Sequence, residues 1–324
     1  MNTSSGCYST PGFLNHLIYF VMKTTIKNIL IPIDFSETSL NALNTSIQMA
    51  KRHDAVLHLL YVQDITNYYP ELGQLVTIDP MLDEVFEKDR YLLERTATSI
   101  SFEHQVKCHL HFAKGILHTV VAQHATELAA DMVVIGIDPG ISEKSYLEDS
   151  LVYKVLRKTT CHVLAVPARK EINSFRQVIF PVLSDEKPLA KLQLARSIIE
   201  KNNAAVYVVG IVKKHDLGIL KSLRELSDRI RMRLSRFAGK ATKGSIYSLS
   251  PAKDINVISR EENAQLIVIE GKTKRNLKEF FFGNFTQRMI RNARTAVLLV
   301  KPDVQSNPKQ PVDAAAVQSL QLQY

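Results

Sequence analysis

From Ile26 to Asp34 the chain reads Ile-Lys-Asn-Ile-Leu-Ile-Pro-Ile-Asp, an apolar run from Ile29 to Ile33 rich in β-branched residues. A short continuous apolar run of this kind predicts a strand buried on both faces. Ser36 follows as a helix N-cap, and Ser39 to Arg52 carries the spacing of an amphipathic helix. Ala55 to Val62 predicts a second strand, Leu82 to Ser99 a helical segment and Gln105 to Phe112 a third strand. A helix over Ile116 to Ala129 and a strand over Asp131 to Ile135 come next, then a loop, a helix over Ser150 to Lys158 and a strand over His162 to Val166. Strands alternating with helices imply crossover units and a mostly parallel sheet.

The order then recurs. Arg176 to Pro181 repeats the first strand, Leu189 to Lys201 the first helix and Ala205 to Val212 the second strand. Leu266 to Ile269 repeats strand four, Gly283 to Asn292 the last helix and Ala296 to Val300 strand five. Two self-similar units in sequence indicate duplication. The expected division is residues 23–170 for the first domain and 174–302 for a degenerate second one, joined through the polar stretch Arg169 to Ser174. Residues 1–22 form an extension, disordered or upstream of a true start at Met22, and residues 303–324 form a flexible tail rich in Gln, Ala and Pro.

Pro32-Ile33-Asp34-Phe35-Ser36 at the end of strand one, followed at matching spacing by Asp131–Gly136 and Ser150–Pro167, resembles the universal stress protein family in its tandem two-domain form. The resemblance runs from Ile26 to Pro302. It implies an α/β fold of two tandem doubly wound domains, each a mostly parallel five-stranded sheet flanked by helices, adenine nucleotide α-hydrolase-like. In the family an adenine nucleotide lies across the carboxyl ends of the strands, its phosphates cradled by a glycine-rich loop and a helix N-terminus. Carried over residue by residue, the nucleotide-binding positions are Pro32, Ile33, Asp34, Val62, Gly136, Gly140, Ser150, Leu151 and Val152, which makes ATP or another adenine nucleotide the candidate cofactor of domain one.

The glycine motif departs from the family pattern. Its second glycine falls on Pro139, which has no N–H to donate, and its third on Asp149. A carboxylate at contact distance from a phosphate repels it by about 4 kcal/mol at an effective dielectric near 20. Ser150 is retained, and a serine at a helix start is also simply a cap. In the second unit Leu183 replaces the strand-one Asp, with Asp185 two residues on. Glu270 and Thr273 replace the first two glycines, Gly283 remains and Asn284 stands for the serine. Lys272, Lys274, Arg275 and Lys278 in this loop read as a solvated basic surface.

Composition adds little to this division. The net charge of +9 and pI near 9.3 favour acidic partners without choosing among them. Cys7, Cys108 and Cys161 form no CxxC pair or disulfide framework, consistent with a reducing, cytoplasmic setting, and no apolar run is long enough to span a bilayer. His109 and His111 share one face of a strand and read as surface histidines rather than a metal site, although His118 and His124 lie nearby in sequence. There is no nucleophile elbow and no Walker lysine loop, so no catalytic residue is assigned. Lys221 to Lys243 reads as one amphipathic helix, with an apolar stripe at Leu223, Leu226, Ile230, Leu234 and Phe237 under a basic face. It lacks the interleaved aromatics of a nucleic-acid surface.

Three readings stand side by side: a non-catalytic stress-adaptation protein whose halves pair as an intrachain pseudo-dimer; an adenine-nucleotide binder using domain one only, with at most slow hydrolysis; and a binder of another small molecule or macromolecule in diverged pockets. Val163–Val166 and Val297–Val300 are short, strongly apolar strands. The two units are expected to pair along these edges, because an uncovered apolar edge invites association. A homodimer of whole chains is a further, weaker expectation.

Overall fold

A computed structural model describes residues 25–64, 80–138, 150–168, 172–183, 189–212, 217–271 and 285–301. In the first half the elements are β1 (Asn28–Pro32), α1 (Glu37–His53), β2 (Val56–Asp64), α2 (Pro80–His104), β3 (Cys108–Gly115), α3 (Leu117–Glu127), β4 (Met132–Ile137), α4 (Leu151–Lys158) and β5 (His162–Pro167). The second half runs β6 (Gln177–Leu183), α5 (Leu189–Asn202), β7 (Ala205–Val212), α6 (Leu217–Leu234), β8 (Lys240–Tyr247), α7 (Pro251–Glu261), β9 (Leu266–Glu270), α8 (Phe285–Arg291) and β10 (Ala296–Val300).

Each half is a doubly wound parallel unit, with strand order 3-2-1-4-5 in the first and 8-7-6-9-10 in the second. The two units meet at β5 and β10, which pair antiparallel with Leu164 opposite Leu298, so ten strands form one continuous sheet. Alternation along each strand feeds two core layers. Ile29, Ile31, Leu57, Leu59 and Val134 face α1 and α2 in the first half, and Val178, Phe180 and Val208 face α5 and α6 in the second. Leu30, Val133 and Ile135 face α3 and α4, while Ile179, Val209 and Ile267 face α7 and α8. Both layers run unbroken across the seam. β5 and β10 are buried along their whole length, the burial expected of strands interior to a sheet covered on both faces.

Local signals explain most boundaries. Ser36 is the N-cap of α1, its Oγ accepting from the Ser39 N–H at 3.2 Å. Asp54 and Asn203 end α1 and α5 in the left-handed conformation that these residue types tolerate. Gln105, also left-handed, ends α2 and delays β3 to Cys108, three residues later than the apolar pattern predicts.

The stretch Lys221–Lys243 corrects the sequence expectation. Its helix, α6, ends at Leu234, and Phe237 reaches the core from the turn that follows. Lys240 and Lys243 belong instead to β8, an edge strand whose alternation of exposed and half-buried positions is too polar to read as a strand. The expected extension, the tail and the central part of the glycine motif (Pro139, Gly140 and Asp149) lie outside the described residues. So do Asp185, Thr273, Gly283, Asn284 and the basic residues of the second loop.

Candidate functional site

In the 3-2-1-4-5 order the chain leaves β1 toward β2 on one side and returns to β4 on the other. The carboxyl ends of β1 and β4 therefore flank the switch point, where open α/β sheets take their ligands. The Ile33 N–H donates to Leu60 O at 2.9 Å, holding the end of β1 against β2. Asp34 is the first exposed residue beyond it. Its Oδ1 accepts from the Ser36 N–H at 3.0 Å and the Ser36 hydroxyl at 2.6 Å, an Asx-turn that runs directly into the α1 cap. Thr38 Oγ1 lies 2.8 Å from the same hydroxyl, and Ser39 Oγ donates to Ser36 O at 3.1 Å.

Burial pushes the Asp34 carboxyl up, but hydrogen bonds from the Ser36 and Ser39 side chains and the Ser36 N–H outweigh it, and the net direction is down. Asp34 is thus ionised at neutral pH, with Oδ1 engaged in the turn. Between Asp34 and Ser36, Phe35 sits at φ 61°. The left-handed conformation costs an L-residue about 1–2 kcal/mol, and the Asx-turn, the cap and the packing of the Phe35 ring on the core hold it there.

The other carried-over positions divide by role. Pro32 and Ile33 are buried at the end of β1. Val62 is half-buried in β2, opposite Ala113 of β3. Val152 is buried, and Leu151 is half-buried on the layer under α4. Ser150 occupies the N-cap position of α4, but its side chain makes no capping bond; only its carbonyl does, accepting from the Lys154 N–H at 3.0 Å. Gly136 is an interior residue of β4, and a Cβ there would lie 2.1 Å from Thr38 O. The first turn of α1 packs directly on β4 at this point, a reason for glycine that owes nothing to phosphate.

Matching hydrogen bonds place the second half in register with the first. Val56 N–H to Lys27 O corresponds to Ala205 N–H to Arg176 O, and Ala55 N–H to Ala50 O corresponds to Ala204 N–H to Ile199 O. Pro181 is then the counterpart of Pro32, Leu183 of Asp34 and Lys191 of Ala42. Leu183 is buried and offers no acceptor where Asp34 offers one. Lys191 is buried as well, its Nζ donating to Pro181 O at 2.5 Å and lying 4.7 Å from the centre of the Phe180 ring. The sequence pattern concealed this buried ammonium, because a lysine in the first turn of a helix ordinarily faces water.

The surface reading holds for His109, which is exposed, whereas His111 is half-buried beside a buried histidine of β2. Register puts His58 of β2 opposite His109 and beside His111 of β3, on the face covered by α3. His58 Nδ1 lies 3.0 Å from His111 Nε2, the His58 ring stacks on His109 at 5.5 Å, and His124 of α3 meets His111 edge-on at 6.0 Å. Burial, with the neighbouring imidazoles, lowers His58 to about 3 and His111 to about 4. This ladder depends on strand register, which spacing within one strand could not supply. Among the described residues no group of three His, Cys, Asp or Glu side chains is arranged to hold a metal ion.

Comparison with known proteins agrees with this architecture. The sequence model of the universal stress protein family matches residues 25–167 and again 174–301. A universal stress protein of Methanocaldococcus jannaschii is 27% identical over 164 residues, which cover 48% of this chain and 94% of that protein. The universal stress protein YxiE of Bacillus subtilis is 30% identical over 146 residues, 43% of this chain and 98% of its own length. Among solved structures, a universal stress protein from Archaeoglobus fulgidus superposes with a TM-score of 0.68 at 20% identity, covering 86% of this chain and 97% of its own. A protein of unknown function from Pseudomonas aeruginosa gives 0.59 at 16% identity, with 86% and 93% covered. At these identities the structures speak to the fold. Two matches of the family model in one chain, meeting in one doubly wound sheet, place this protein: it belongs to the universal stress protein family, in tandem form.

Proposed function

We propose that the chain is a stress-adaptation protein that holds one adenine nucleotide, in its first half only, without turning it over. The units are residues 23–170 and 174–302, paired within one cytoplasmic chain through β5 and β10. The observation that carries the reading is the asymmetry at the ends of β1 and β6. Asp34 is ionised and exposed, a carboxylate placed to accept from ribose hydroxyls, whereas Leu183 is buried and Lys191 fills the layer beside it. A hydroxyl left without its buried acceptor costs about 1–3 kcal/mol, roughly tenfold or more in affinity. In sequence, Pro139 and Asp149 stand where the family pattern has phosphate-loop glycines, so AMP is expected to compete with ATP better than it does at an intact glycine loop.

Titration calorimetry with ATP and AMP tests this, with Asp34→Asn as the informative variant. Asparagine can still accept from the Ser36 N–H and keep the Asx-turn, but it presents an amide N–H₂ where Oδ2 accepted. The expected outcome is one site per chain, an unchanged melting temperature for Asp34→Asn without ligand and about tenfold weaker binding. Two sites per chain, or undiminished affinity in Asp34→Asn, overturns the assignment.

A further inference from the structure

On the face of the second half away from α5 and α6, the parallel helices α7 and α8 enclose a groove of about 490 Å³. Its lining includes Lys253 and Arg260 of α7, Arg288 and Arg291 of α8, and Arg294 in the turn before β10. Among the described residues no carboxylate lines it; the remaining polar groups are Ser250, Asn256 and Asn292. None of the five cations makes an ion pair among the described residues, and Arg288 Nε is buried without a hydrogen-bond partner. Buried donors are almost always satisfied, so this orphan is an unusual feature of the groove wall.

The duplication supplies an internal control. Lys253 N–H to Ser250 O matches Thr119 N–H to Ile116 O, and Ala264 N–H to Ser259 O matches Ala130 N–H to Ala125 O. In this register Lys253, Arg260 and Arg294 stand where the first half carries Thr119, Thr126 and Thr160. In the first half Lys158 spans the corresponding groove and donates to Thr119 Oγ1 at 2.8 Å. In the same register Arg288 and Arg291 match Lys154 and Arg157, and Asn292 stands where the first half has Lys158, so the second half gains three cations and loses one. Gathering like charges in one concavity is unfavourable unless an anion enters it.

We propose that the α7–α8 groove is an anion site for a small ligand carrying two or more phosphate groups, separate from the nucleotide crevice of the first half. Guanidinium forks bind phosphate oxygens in pairs, and four of them in one groove match a multiply charged anion better than a single one. The volume lies within the range of small-ligand pockets, and the charge is concave and local rather than spread along a nucleic-acid track.

The test is calorimetric titration of the full chain with inorganic tripolyphosphate, free of divalent ions and at physiological ionic strength. Citrate and sulfate are run at matched ionic strength. The double variant Arg260→Gln/Arg294→Gln removes two exposed cations of the groove and should bind about tenfold more weakly or worse. Arg224→Gln/Arg233→Gln removes two exposed cations of α6, on the other face, and should leave binding unchanged. Partly buried Arg288→Gln is read beside its melting curve, so that misfolding is separated from lost affinity. Saturable binding near one equivalent, favouring tripolyphosphate over citrate and sensitive only to the groove variants, supports the site. Equal loss from both double variants, equal affinity for citrate, or stronger groove-dependent binding of a DNA duplex overturns it.

Discussion

The backbone N–H of Lys301 donates to Nδ1 of His162 at 3.2 Å, tying the end of the second half to the first strand residue of β5. An imidazole that accepts through Nδ1 carries its proton on Nε2 and is neutral. Burial, then the charge of Lys301, holds His162 down to about 4. Lys301 makes a second crossing, its Nζ donating to Leu156 O at 2.9 Å. The seam is therefore more than a strand pairing, and it includes a titratable group that must stay uncharged.

Stability is expected to fall in mild acid. His53, His111 and His162 titrate near 4 in the folded chain and His58 near 3, each lowered chiefly by burial. In the unfolded chain they take up protons near their ordinary pKa of about 6.5. Below that value the unfolded state binds more protons than the native one, so stability that is full above about pH 6.5 is lost progressively toward pH 4. Melting temperatures recorded between pH 7.5 and 4.5 check this, and a flat profile would contradict it. Removing the acceptor in His162→Ala should cost about 1–3 kcal/mol at neutral pH and flatten part of the slope.

Gly136→Ala should destabilise the chain by about 3 kcal/mol or more, because the new methyl meets the backbone of Thr38, which cannot yield as a flexible side chain would. Urea unfolding measures it. A cost below about 1 kcal/mol would mean that the first turn of α1 slides freely over β4.

Ser150→Ala separates the two readings of that residue. A capping serine loses roughly 1 kcal/mol on this change. Since the Ser150 side chain makes no capping bond, the expected loss is within about 0.5 kcal/mol. A weakened ATP affinity with unchanged stability would identify it as a phosphate contact. A full capping cost would show that it closes the helix in solution.

Produced alone, residues 23–170 should self-associate. They would expose β5, His-Val-Leu-Ala-Val-Pro, as an edge that is apolar and entirely buried in the intact chain. The intact chain ends instead in β3 and β8, and β8 carries exposed Lys240 and Lys243, charges that discourage edge pairing. Light scattering on both proteins distinguishes the cases, and a monomeric isolated half would contradict the expectation.

The parallel strands were legible because Ile29-Leu30-Ile31 or Val133-Val134-Ile135 can sit only where both faces are covered. Asp34 was legible because Ser36 and the β1 run frame it. What escaped depends on distance in the fold. β8 hides because its exposed face is polar, and the apolar pattern overstates α6 because Phe237 continues the stripe from outside the helix. The His58–His111 contact needs the β2–β3 register, and the arginine groove needs α7 beside α8. Gly136 was visible as a glycine, but its contact with Thr38 O involves a residue nearly a hundred positions earlier.

The antiparallel seam between β5 and β10 has a further consequence. In a homodimer of single units, one gene writes both sites, and any substitution that remodels one pocket remodels the other. Here the two sides of the interface are encoded separately. Leucine and lysine could take over one crevice, and arginines one outer groove, while an aspartate held its place across the sheet. Covalent fusion thus breaks the equivalence of the two sites and lets each half diverge against a fixed neighbour.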